Sequence, residues 1–94
     1  MQFTPQSLTA AASSFRNVLT HNGLAFPLSK SNDVLALILF GKSYSASMSQ
    51  ARQEGFISVV DLTGEAISEI FKSRSRDVSP ARALEILAET IEAS

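Results

Sequence analysis

"FISVVDLTGEAISEIFKS", Phe56 to Ser73, admits two folds, and its reading decides between them. The first half, Phe56-Ile57-Ser58-Val59-Val60, is rich in β-branched and aromatic residues and reads as a strand. Thr63-Gly64 can then supply a tight turn, with Glu65-Ala66-Ile67-Ser68-Glu69-Ile70-Phe71 returning as the second strand of a β-hairpin. The competing reading keeps the first strand but makes Thr63 to Ser73 a helix, with Ala66, Ile67, Ile70 and Phe71 on its apolar face. The hairpin is the preferred expectation.

Upstream, Ser43 can cap a helix through Glu54 that stops at Gly55. Tyr44, Met48 and Ala51 share one face of it at i, i+4 and i+7, while Ala46, Ser49, Gln50 and Gln53 lie opposite, flanked by Lys42, Ser45 and Arg52. Before it, Val34-Leu35-Ala36-Leu37-Ile38-Leu39-Phe40 is apolar on every side. Only Val34 and Ile38 are β-branched, so helix is favoured over buried strand, with Ser29 or Ser31 as its cap, Asp33 in its first turn and Gly41 at its end. Such an element must be covered all round, which makes it a central helix or one that offers a face to another chain.

The ends are plainer. Thr4-Pro5 starts a helix carrying Leu8, Ala11, Ala12, Phe15, Val18 and Leu19 at helical spacing up to Asn22-Gly23. Ser79-Pro80 starts a last helix with Ala83, Leu84, Ile86, Leu87 and Ile91, after the polar linker Lys72-Ser73-Arg74-Ser75-Arg76-Asp77. The expected fold is therefore α+β: a small, mainly helical single domain of three helices, a wing-like hairpin and a C-terminal helix.

Composition narrows the function classes. The 94 residues are 45% apolar and 18% charged, enough for one modest core, and no run approaches the roughly 20 apolar residues of a membrane span. No early basic cluster precedes an apolar stretch, so the expected location is cytoplasmic. Without cysteine there is no disulfide, thiol nucleophile or thiolate metal site. The single histidine, His21, reads as a cation at the end of the first helix rather than a catalytic group. Net charge is -1, but its distribution is uneven. The body is mildly basic, and the tail sets Asp77, Glu85, Glu89 and Glu92 against Arg82, so nucleic-acid contact is open to the body alone.

Gly41-Lys42-Ser43 invites comparison with a phosphate-binding loop. Such a loop wraps the anion in glycine-rich backbone N–H groups, whereas here Leu37-Ile38-Leu39-Phe40 would place large apolar side chains against it. Asp61 and Glu65 flank a turn and read as solvent-facing, and nothing in the spacing pairs His21 with a nucleophile. No enzymatic activity, metal or cofactor is expected.

Two helices separated by Gly41, a third ending at Gly55, then strand, Thr-Gly turn and returning strand resemble a winged helix-turn-helix over Ser29 to Phe71. Met48, Ala51, Gly55, Phe56 and Ile57 carry the resemblance most directly. It implies that the third helix enters the major groove of double-stranded DNA, as in a transcriptional regulator. Ser45, Ser49, Gln50 and Gln53 would then face base edges and Lys42 and Arg52 phosphates, with Thr63 and Gly64 at the wing tip. Lys72, Arg74 and Arg76 would anchor the far side of the wing. Cations are sparse for a monomer, so a homodimer is expected, joined through excess apolar surface of the second or last helix. Separately, "LSKSNDVLALILFGKSYSASMSQA", Leu28 to Ala51, is similar to a small helical module of bacterial proteins related to the glyoxalase superfamily. The glyoxalase metal ligands have no counterpart, so that likeness implies an interaction module. The alternative function is accordingly a non-enzymatic protein-interaction or inhibitor domain, such as an accessory protein of a mobile element.

Overall fold

Thr4 opens the first long element as its spacing implies. In the computed structural model, which describes residues Met1–Ser94, its side chain accepts from the Ser7 amide at 3.1 Å, and Pro5 follows as the first helical residue. The helix, α1, runs Pro5–His21 and buries Leu8, Ala11, Ala12, Phe15, Val18 and Leu19. After it come α2 (Leu28–Phe40), α3 (Tyr44–Glu54), α4 (Gly64–Ser73) and α5 (Pro80–Ala93). Two short strands, β1 (Gln2–Phe3) and β2 (Ile57–Ser58), pair antiparallel with Phe3 opposite Ile57. The architecture is mainly helical α+β, with five helices.

The hairpin expectation is overturned. Of Phe56 to Val60, Ile57–Ser58 does form a strand, but its partner is the N-terminal Gln2–Phe3, and Gly64–Ser73 is α4. Thr63, placed above at a wing tip, is the N-cap of α4 and accepts from the Ala66 amide at 3.1 Å. The physical reason lies in the period. As a strand, Glu65 to Phe71 would put Glu65 and Glu69 on the same face as Ile67 and Phe71. As a helix it gathers Ile67, Ser68 and Phe71 on the buried side and leaves Glu65 and Glu69 exposed, with Glu65 in the first turn and Lys72 in the last, each matched to the helix dipole.

α2 is the central helix. It touches α1, α3 and α4, and from Val34 to Phe40 every residue but Leu37 is buried. Its last residue, Phe40, meets Phe3 edge-on with ring centroids 5.9 Å apart, and the Val60 amide donates to the Leu39 carbonyl, so the β-ribbon closes that end. From Val34 to Phe40 α2 is covered, while Leu28, Ser29 and Lys30 in its first turn stay exposed. Neither serine proposed as its cap serves: the helix starts one turn earlier behind Pro27, and Ser31 is buried with its hydroxyl unpartnered. Asp33 lies beyond the first turn and instead accepts from the Tyr44 amide at 2.9 Å, which fixes the start of α3 against α2. Gly41 ends α2 in the left-handed conformation, φ +70°.

The remaining helices complete the cover. Phe71 of α4 lies 6.4 Å from Phe15 of α1 between ring centroids, and α5 packs on α1 and α4. Ser68, buried on α4, donates to the Val78 carbonyl and holds the connection into α5. At Gly64 the two helix starts nearly touch: an added Cβ would stand 2.6 Å from the Pro80 carbonyl oxygen.

Two stability changes of opposite sign follow, both read from urea midpoints. Gly64→Ala must push α5 away from α4 and is expected to cost about 1–3 kcal/mol, as overpacking does. Ser31→Ala removes a buried unpaired hydroxyl from a helix interior and is expected to raise stability by about 0.5–1 kcal/mol. A destabilised Ser31→Ala would show that the hydroxyl has a partner in solution.

Candidate interaction surfaces

α3 presents the surface expected to read DNA. Its buried seam is Met48 and Ala51 with Ser47, whose hydroxyl donates to the Ser43 carbonyl at 2.8 Å. Ser45, Ser49, Arg52 and Gln53 are exposed, Gln50 is half-buried, and the exposed Lys42 ammonium hydrogen-bonds the Gln50 side-chain oxygen. Capping of α3 by Ser43, accepting from Ala46 at 3.1 Å, and its stop at Gly55 agree with the sequence pattern. What surrounds α3 does not fit the winged architecture. In a helix-turn-helix the first helix crosses the DNA backbone, whereas α2 is enclosed by other helices along most of its length. No wing stands beside α3, because α4 occupies that part of the chain.

The three cations assigned to the wing flank, Lys72, Arg74 and Arg76, lie instead at the end of α4. Here the chain forms a cleft of about 610 Å³. One wall is the loop at Phe26-Pro27 leading to Lys30 and Asp33 of α2, and the other is Ser73 to Arg76. Sequences more than forty residues apart are thus brought together, and Lys30 and Phe26 join a site that the sequence pattern did not reveal. Lys72 lies on the adjoining side, where it lines a shallower hollow with Ser75, Arg76 and Asp77.

Arg76 ties the walls together. Its Nη2 donates to the Ala25 carbonyl at 2.8 Å, its Nη1 donates to the Arg74 carbonyl at 3.3 Å, and its guanidinium carbon sits 4.4 Å from the Phe26 ring centre. The turn beneath it is closed by its own backbone. With Ser75 left-handed at φ +61°, the Arg76 amide donates to Phe71 and the Ser75 amide to Lys72, at 2.9 and 3.0 Å. Those amides are spent, so on this wall a ligand meets side chains.

Electrostatics single this place out. Arg74 donates to the Ser73 hydroxyl at 2.9 Å, and carbonyls hold Arg76, so neutral oxygens orient both guanidinium groups without cancelling their charge. The one ion pair in the chain is Arg82 with Glu85, an exposed pair at 2.8 Å on α5. Asp33, the only acid in the cleft wall, is engaged with the start of α3. Elsewhere, no group of three or more His, Asp or Glu side chains is gathered to hold a metal, and His21 sits exposed in the last turn of α1. No helix is long and apolar enough to cross a membrane.

Comparison with protein-family models, curated proteins and solved structures finds no match to this chain. The two family resemblances therefore rest on the residues quoted for them.

If Arg76 shapes the cleft, Arg76→Ala frees one wall. Amide hydrogen exchange at Leu24 to Phe26 is expected to accelerate several-fold, while global stability falls by only about 0.5–1 kcal/mol, the scale of an exposed cation–π contact. Unchanged exchange there would mean the loop is held by other contacts.

Proposed function

We propose that this chain is a non-enzymatic protein-interaction domain whose basic cleft receives an acidic segment of a partner protein. The observation that supports the reading is the convergence of Lys30, Arg74 and Arg76 on one concavity with no acid paired to any of them. Two of these cations are already oriented by neutral acceptors, so binding orders few additional side chains. Arginine presents a planar fork suited to carboxylates, and Ser73 and Ser75 line the same wall. Phe26 and Pro27 add a short apolar margin. A carboxylate-bearing segment fits this better than a duplex, which favours a long cationic track, and the exposed glutamates of α5 give the molecule an acidic side that repels polyanions.

A labelled glutamate-rich peptide, titrated by fluorescence anisotropy, tests the proposal. Binding is expected at low salt, to weaken by about tenfold with either Lys30→Glu or Arg74→Glu, and to be indifferent to Arg52→Glu. Equal loss with Arg52→Glu, or none with the two cleft variants, would move the site away from the cleft.

A second reading, duplex DNA binding by a homodimer through α3, keeps support from the exposure of Ser45, Ser49, Arg52 and Gln53. It has lost the wing. Its signature is an affinity for duplex DNA that falls steeply with salt and drops with Gln50→Ala and Arg52→Ala, about 1–3 kcal/mol for a base-reading side chain. No duplex binding at low ionic strength removes it.

A further inference from the structure

We infer that one occupant of the basic cleft is a second copy of this chain, docked through the acidic outer stripe of α5. This rests on the proposed role of the cleft and names a partner for it. Glu85, Glu89 and Glu92 are exposed on α5 at i, i+4 and i+7, a spacing that lines them along one face. Glu85 is paired with Arg82, and Glu89 and Glu92 have no cation. The same molecule therefore carries an unmet acidic stripe and an unmet basic cleft, and its own fold does not bring them together.

Five large apolar side chains are strongly exposed. Met1, Phe56 and Val60 belong to the β-ribbon and its continuation, where Met1 bonds Val59. The other two are Leu28, at the start of α2, and Leu84, on α5. Helical spacing sets neither leucine in line with the charges, so the contact rests on charge complementarity. Two such contacts related by a two-fold axis give a closed dimer in which every copy offers α5 and receives α5. The expected association is weak and salt-sensitive, because its charged groups are exposed.

Reciprocal charge reversal with mass measurement by sedimentation provides the test. The unmodified chain is expected to dimerise at low salt and to dissociate at about 0.5 M salt, where screening lengths fall to a few ångströms. Glu89→Lys with Glu92→Lys makes both surfaces basic, and Lys30→Glu with Arg74→Glu makes both less basic or acidic. Each double variant alone is expected to be monomeric, and an equimolar mixture is expected to form a heterodimer. All four positions are exposed, and an unchanged thermal transition by circular dichroism verifies the fold of each variant. A monomer at low salt that still binds the glutamate-rich peptide overturns the self-association and leaves the cleft reading standing. A monomer that does not bind the peptide overturns both. A dimer that survives either reversal places the interface elsewhere and also overturns the inference.

Discussion

A helical stretch with no polar side has to be enclosed, and the rest of this structure follows from enclosing Val34 to Phe40 of α2. Ninety-four residues leave little material for that purpose. α1, α3 and α4 lie around it, while the β-ribbon closes its end through Phe3 on Phe40 and Val60 on Leu39. Small residues permit the approach: Ala36 and Ser31 on α2, Ser47 and Ala51 on α3, all with almost no exposed surface. The unpartnered Ser31 hydroxyl is the cost of using serine for such close packing where alanine would serve.

The same constraint explains why the stretch from Phe56 to Ser73 is not a wing. A projecting hairpin would carry Ile67 and Phe71 away from the core, leaving one side of α2 and the Phe15 ring without cover. Folding that segment as α4 buries both residues and creates the surface on which α5 docks. The N-terminal Gln2–Phe3 then supplies the only partner strand, and Phe3 is buried beside the start of α1 with Leu8, the arrangement of a hydrophobic staple.

Local signals were legible in the sequence where they concern one element. Thr4-Pro5, Ser43, Gly55 and Ser79-Pro80 mark helix ends, because capping chemistry depends on residues three or four apart. Thr63-Gly64 misleads because a threonine before a glycine suits both a turn and a helix cap. The failed alternation of Glu65 to Phe71 is the sequence signal for the helix, and the β-branched run before it points the other way. Pairing of two-residue strands more than fifty positions apart leaves no periodicity to read. The cleft was half legible: the alternating cations of Lys72 to Arg76 stand out, yet Lys30 and Phe26 become their neighbours only once α4 has folded against α2.

Placement of charge follows from that economy of apolar surface. Most large apolar side chains are used inside, so the outer surface is set largely by polar groups on elements already held rigid. The turn from Ser73 to Arg76 is anchored from below by backbone bonds to Phe71 and Lys72, and from the side by Arg76 on Ala25 and Phe26. Cations on such a turn cannot readily swing toward the nearest carboxylate. Arg74 and Arg76 have no ion-pair partner, and a restrained unpaired charge is what an oppositely charged surface can engage at small entropic cost. The acidic stripe of α5 is held in the same way, by a helix whose inner face is locked onto α1 and α4. In the roles proposed for them, these two surfaces draw selectivity from the rigidity of the core, although neither contributes appreciably to the core itself.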